Sequence, residues 1–174
     1  NSVHQVNELV VKYMDIREYQ VLVFPFRKCS GTGYALNRSG TGYEFAIFRR
    51  IRSGFWQAIS GGGKTGESFI EAARREAWEE TCVPQSSDFF SLETINSVPI
   101  HYFSEQTPEG RYVIEEHCFA VDCKDIEITL SPEHSEFRWV DYKTALALLK
   151  WDSNKTAMWE LNQRLIDNKM IPAV

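Results

Sequence analysis

The sequence predicts an α/β fold in which a mixed β-sheet is flanked by helices. Three observations carry this. Short β-rich runs separated by turn residues occupy positions 19–60 and return between 89 and 140. Between them, Ser68 and Glu71 stand in the S-x-x-E spacing of a capping box, which starts a helix at Ser68. The chain then closes on an amphipathic run, Asn154 to Asp167. With 174 residues, one domain covering 1–174 is expected, large enough for an adequate core.

Taken in order, Val3, Val6, Val10, Tyr13 and Met14 recur at near-helical spacing, which suits a short helix or a strand-prone arm. Tyr19 to Arg27 is β-rich, and Pro25 within it argues for an edge or a bulge. Cys29 to Gly42 has the Gly, Ser, Thr and Asn content of a hairpin loop, with Tyr43 to Arg50 as the partner strand. Trp56 to Ile59 reads as a short strand entering a glycine turn. In the helix from Ser68, the apolar stripe is Phe69, Ile70, Ala73 and Ala77. Pro84 to Ser87 is a break. Phe89 to Phe103 carries one or two strands, with His101 read as a strand residue, and Ser104 to Gly110 is a turn. Arg111 to Cys123 is a long strand that also holds His117. On it Glu116 shares a face with Cys118 and Ala120, so its carboxylate should point inward. Phe137 to Val140 is another strand, and Asp141 caps a short helix through Leu149. The final helix should bury Ala157, Met158, Leu161, Leu165 and Ile166.

Composition excludes several classes. Hydrophobic content is 43%, charged content 25% and net charge -5, which argues against a broad nucleic-acid surface but not against a small anionic ligand. No stretch approaches 18 apolar residues and no signal peptide is evident, so neither a membrane span nor secretion is expected. Cys29, Cys82, Cys118 and Cys123 form no C-x-x-C pair and no zinc spacing; they read as reduced, mostly buried thiols of a cytoplasmic protein. Aromatic content of 13% supplies rings for stacking, and exposed aromatics with the N-terminal arm would permit a homodimer.

The chemistry concentrates in one stretch, Gly61-Gly62-Gly63-Lys64-Thr65-Gly66-Glu67 followed by Arg75-Glu76-Ala77-Trp78-Glu79-Glu80. Glu76, Glu79 and Glu80 stand at i, i+3 and i+4 and therefore share one helix face. Each like-charged pair at this spacing costs a few tenths of a kcal/mol, roughly. Arg75 offsets part of that, and a bound cation would offset it better. Oxygen ligands of this kind suit Mg2+ or Mn2+. Gly61, Gly62, Gly63 and Gly66 permit positive φ and close approach to a ligand, and the loop leads into a helix N-terminus that favours anions. Alone, a glycine run is usually a flexible loop and a Glu pair a solvated face. Together, six specified positions matched at about one in fifteen each give roughly one chance match in ten million windows.

With that spacing, G-x5-E-x7-R-E-x-x-E-E, the chain resembles the Nudix hydrolases, matching their signature box at Gly61, Glu67, Arg75, Glu76, Glu79 and Glu80. Two positions depart: Ala77 fills a slot for a larger aliphatic residue, and Cys82 stands where the pattern has a late glycine. Phe48-Arg49-Arg50, Phe55 to Gly61, Pro132-Glu133-His134, Arg138-Trp139-Val140 and Trp151 to Asn154 further resemble the bacterial dihydroneopterin triphosphate pyrophosphatase subfamily. The resemblance implies a Nudix-type α/β/α sandwich with a mixed central sheet. It implies that Glu76, Glu79 and Glu80 bind the metal, that Arg75 orients them and that Glu67 tethers the loop. It also implies a metal-ligand role for the Ser60 carbonyl and, from Glu115-Glu116, a further carboxylate, with Glu116 the better match.

Outside the box, Arg49 or Arg50 could neutralise phosphate charge. His134, read as a loop residue, could touch phosphate or move a proton. Trp56, Trp139 and Trp151 could stack on a base or pterin. The implied reaction is Mg2+-dependent hydrolysis of a pterin or nucleoside triphosphate to pyrophosphate and a monophosphate, with Glu76, Glu80 and Glu116 all open as the general base. The alternatives are hydrolysis of a dinucleoside polyphosphate or ADP-ribose, or a non-catalytic nucleotide sensor.

Overall fold

The structure is a computed structural model and describes residues 17–29, 42–103 and 110–174. Residues 1–16, 30–41 and 104–109, on which the expected N-terminal helix or arm and most of the expected hairpin loop and turn fall, lie outside the described residues. In chain order the elements are β1 (Tyr19–Lys28), β2 (Tyr43–Arg50), β3 (Trp56–Gln57), β4 (Ile59–Gly62), α1 (Phe69–Thr81), β5 (Phe89–Pro99), a 3-10 turn (Ile100–Tyr102), β6 (Val113–Asp122), β7 (His134–Val140), α2 (Tyr142–Leu148), α3 (Asp152–Asp167) and β8 (Ile171–Pro172). The strands form one mixed sheet in the order β3-β2-β1-β6-β5-β8, with β4 also on β1 and β7 also on β2. β1 and β6 run parallel; the other named pairs are antiparallel.

The period-2 alternation of β1 divides the core between the two faces of the sheet. Val21 and Val23 join Phe48, Ile59 and Phe119 beneath Ala72, Ala73 and Ala77 of α1. Leu22, Phe24 and Phe26 join Ile47, Cys118 and Ala120 beneath Ala157, Met158 and Leu161 of α3. The result is the expected α/β/α sandwich. Among the described residues no helix is long and apolar enough to cross a membrane.

Several expectations are corrected. Pro25 is neither at an edge nor in a bulge, because β1 pairs with β6 along its length. On the other side β1 pairs with β4 through Val23 and with β2 from Phe26, so Pro25 sits where the strand changes neighbours and its missing N–H is tolerated. His134 opens β7 and is buried, where a loop was expected. His101 falls in the 3-10 turn, not in a strand. Phe69 and Ile166 are exposed; the α1 stripe is carried by Ala72, Ala73 and Ala77. The β5–β6 register is irregular between Ser91 and Ile95, and there the Glu160 carboxylate of α3 accepts from the Glu93 and Thr94 amides at 2.7 and 2.8 Å.

Candidate functional site

The capping box forms as expected. The Ser68 side chain accepts from the Glu71 amide, Glu71 accepts from the Ser68 amide, and α1 begins at Phe69. The helix ends at Cys82, whose backbone is left-handed at φ 56° and whose N–H donates to the Trp78 carbonyl. The late-glycine slot is thus a C-cap position that favours glycine.

The glycines act differently from the expectation. Gly66 has φ 80°, but Gly61, Gly62 and Gly63 do not have positive φ, and Gly61 and Gly62 belong to β4. They are needed for space. A Cβ on Gly61 would land on the Glu76 carboxylate, on Gly62 it would meet the Arg17 side chain, and on Gly63 the Tyr19 ring. The run therefore seats a carboxylate from α1 directly on the backbone of β4.

Arg75 ties loop and helix together. Its Nε and Nη2 donate to Glu67 at 2.8 and 2.9 Å, Nη2 also to the Gly62 carbonyl at 2.9 Å, and Nη1 to Glu76 at 2.5 Å and Glu79 at 3.1 Å. Glu67 also accepts from the Lys64 amide at 3.0 Å, and its carbonyl accepts from the Tyr19 hydroxyl at 2.6 Å. The Arg75 hydrogen bonds hold the Glu67 carboxyl below the usual range. Glu76 and Glu80 move the other way. Burial raises both, and the neighbouring Glu79 and Glu76 charges respectively add to it.

Glu116 reaches the same cavity from the α3 face of the sheet, in register with Gln20 of β1. Burial pushes its carboxyl up to about 7, against hydrogen bonds from Ser153 and Asn96. The cavity, about 900 Å³, spans both faces around the end of β4. Glu76, Glu79, Glu80, Arg75, Arg50 and Lys64 line it from the α1 side; Glu116, Gln20, Arg17, Ser153, Trp151, Tyr102 and Phe103 line the remainder, with Ser60 and Gly61 between. Trp151 is oriented by a 3.3 Å hydrogen bond from its Nε1 to Gln57, and Tyr102 lies against it with ring centroids 5.3 Å apart.

The donor set fits a hard divalent cation. It consists of oxygens, and Glu80 Oε2 is buried with no hydrogen-bond partner. Among the described residues no three acidic, histidine or cysteine side chains already converge enough to hold an ion. Arg75 engages Glu76 and Glu79 instead, and those carboxylates would have to turn toward a cation.

Four expected ligand contacts do not reach the cavity. Arg49 and Arg50 are adjacent on β2 and so face opposite ways; Arg50 lines the cavity, while Arg49 is exposed and donates to the Gly54 carbonyl at 3.1 Å. Trp56 packs against the α3-side core under the Arg138 guanidinium, 4.8 Å from its ring centroid. His134 is buried behind Glu80 against Phe48, and burial, with the Arg50 charge, lowers its pKa to about 4. Trp139, also weighed for stacking, lies under Arg27. Sequence reading missed Tyr102, Arg17 and Gln20; only Gln20, a polar residue within an apolar strand run, left a signal.

The NUDIX domain model matches residues 34–160. A NUDIX hydrolase of known structure from Listeria monocytogenes is 41% identical with a TM-score of 0.76, covering 90% of this chain and 99% of that one. The dihydroneopterin triphosphate diphosphatase of Haemophilus influenzae is 30% identical over 112 residues, 60% of this chain and 68% of that protein. An octanoyltransferase from Myxococcus xanthus is 35% identical over 102 residues, 58% of this chain but 27% of that longer protein. A family match across most of the chain, together with the Arg75-centred carboxylate helix seated on Gly61, means that the chain belongs to the NUDIX hydrolase family.

Proposed function

We propose that the chain hydrolyses a phosphoanhydride bond in a triphosphate that carries a flat heteroaromatic ring, a pterin or a nucleobase, releasing pyrophosphate and a monophosphate. One observation carries this: a single cavity joins the α1 carboxylates and four basic side chains to an aromatic wall of Trp151 and Tyr102. The Haemophilus relative is named for a reaction of this class.

Glu76, Glu79, Glu80, Glu116 and the Ser60 carbonyl would hold Mg2+ or Mn2+. When bound, the cation polarises phosphoryl oxygens and acidifies water. Arg50, Lys64 and Arg17 would bind the phosphate chain as cations facing the cavity. Arg75 would keep Glu76 and Glu79 oriented through its bonds to Glu67 and the Gly62 carbonyl. The proton leaving the attacking water would pass to a carboxylate of the set Glu76, Glu80 and Glu116. The ring would lie against Trp151, whose plane Gln57 fixes.

The test is product analysis with saturating Mg2+ across pterin and nucleoside triphosphates, dinucleoside polyphosphates, ADP-ribose and inorganic triphosphate. Pyrophosphate release from a ring-bearing triphosphate is expected, with Glu79→Gln and Glu80→Gln lower by about 100-fold or more. Trp151→Ala should raise KM for the ring-bearing substrate and leave that for inorganic triphosphate unchanged. Near-normal rates in the Glu variants, or inorganic monophosphate as the product, would sink the assignment.

A further inference from the structure

We infer that His134 is a positioning residue for the cation site: its imidazole N–H is the partner of Glu80 Oε2, leaving Oε1 on the cavity side. This rests on the metal-hydrolase reading and goes beyond it, because His134 was expected in the substrate pocket and does not line it.

Three buried polar atoms lie together behind the cavity. Glu80 Oε2 and both ring nitrogens of His134 are without hydrogen-bond partners among the described residues. Native structures rarely leave such groups unpaired, and three together in one place call for a common cause. His134 Nε2 lies 3.6 Å from Glu80 Oε2, just beyond a hydrogen bond. Glu80 Oε1 points instead toward Arg50, 4.0 Å from its Nη1, and Arg50 lines the cavity.

The backbone holds His134 in this place. The Ser131 amide donates to the Glu80 carbonyl at 2.9 Å and the Thr129 amide to the Thr81 carbonyl at 3.0 Å, so the segment ahead of β7 is fastened to the last turn of α1. The His134 amide donates back to the Ser131 carbonyl, and the imidazole rests on Phe48 with ring centroids 5.4 Å apart. The ring cannot reach solvent, its side chain being 0% exposed. A small turn of the Glu80 carboxylate, such as a cation would require, closes the remaining gap. Hydrogen bonds around a catalytic centre are often long in the empty state and tighten on loading. Partners behind a metal ligand fix its orientation in the same way.

The experiment titrates the full chain with Mn2+, following the free-ion signal by electron paramagnetic resonance. His134→Phe keeps a ring on Phe48 and removes both nitrogens; His134→Gln restores one N–H donor. His134→Phe is expected to weaken Mn2+ binding by about 10–100-fold, with KM at saturating metal unchanged, and His134→Gln to recover most of the loss. Should the Phe variant not fold, His134→Met fills the volume without a donor and gives the same reading. Wild-type Mn2+ affinity in a folded donor-free variant overturns the positioning role. If Glu80→Gln loses Mn2+ while His134→Phe keeps it, only this inference falls; if Glu80→Gln binds Mn2+ as the wild type does, the hydrolase reading falls too.

Discussion

Gly61→Ala isolates what the glycine run is for. The residue lies in β4 without positive φ, so alanine fits the backbone and should gain about 0.5–1 kcal/mol over glycine there. Its methyl would land on the Glu76 carboxyl carbon, and to regain 3.4 Å, ordinary van der Waals contact, that carboxylate must retreat by about 1.5 Å. The obstacle is the far end of a flexible side chain, so the move is cheap in stability. It breaks the 2.5 Å bond from Arg75, at a cost of about 1–2 kcal/mol, because Arg75 keeps its bonds to Glu67, Glu79 and the Gly62 carbonyl. The two effects nearly cancel, and the melting temperature should change by less than about 4 °C. Activity should not be spared, because displacement of a reacting-centre group by about 1 Å costs on the order of 100-fold. Gly63→Ala is the comparison. Its methyl meets the Tyr19 ring, which is buried, packed edge-on against Phe69 and bonded to the Glu67 carbonyl. That ring cannot swing away, so overpacking of about 1–3 kcal/mol should lower the melting temperature. Thermal melts and kcat/KM on both variants settle the matter. Wild-type turnover in Gly61→Ala, or loss of its fold, would refute the claim that Gly61 exists to seat Glu76.

Two further outcomes are expected. Cys82→Gly relieves a left-handed residue at the α1 C-cap and should raise the melting temperature by about 2–4 °C, with kcat unchanged in a steady-state assay. Glu160→Gln leaves the Glu93 and Thr94 amides and the Thr94 hydroxyl short of an acceptor and should cost about 1–3 kcal/mol in urea melts at neutral pH. Burial alone would raise the Glu160 pKa, but the bonds from Thr94, the Glu93 amide and Arg164 outweigh it and take it below 4.5. The carboxylate therefore contributes fully above pH 4.5 and loses its contribution as pH falls through the lowered folded value, so wild type and variant should converge once the pH is below that value.

Local patterns survived the passage from sequence to fold because their causes are local. The Ser68–Glu71 box needs only three intervening bonds of helix, and β2 reads directly from Tyr43 to Arg50. Pro25 was misplaced because a proline's tolerance depends on which neighbour lies on its N–H side, and β1 changes that neighbour between Val23 and Phe26. No periodicity within a strand carries that information. β8 escaped notice for a related reason: two residues, Ile171 and Pro172, become a strand only because β5 offers an edge at Phe90 and Ser91.

For the site, helical and strand periods were enough to aim carboxylates but not to choose between neighbours. Glu76, Glu79 and Glu80 share a face by rotation alone, and Glu116 turns inward by alternation; all four line one cavity. Arg49 and Arg50 alternate as well, yet sequence does not say which face of β2 meets the cavity. Trp56 and Trp151 present the same difficulty across a greater distance, because the α3 N-terminus and the end of β5 meet only in the folded chain. The glycines are the most instructive case. Positive φ and missing volume select the same residue, so G-G-G cannot by itself say which is required. The answer lies fifteen residues downstream in Glu76, whose carboxylate occupies the space a side chain at Gly61 would fill. Glycine and carboxylate are therefore one requirement written at two places in the chain. A change at either should be felt as a displaced Glu76, which is why the signature spacing is informative where its separate parts are not.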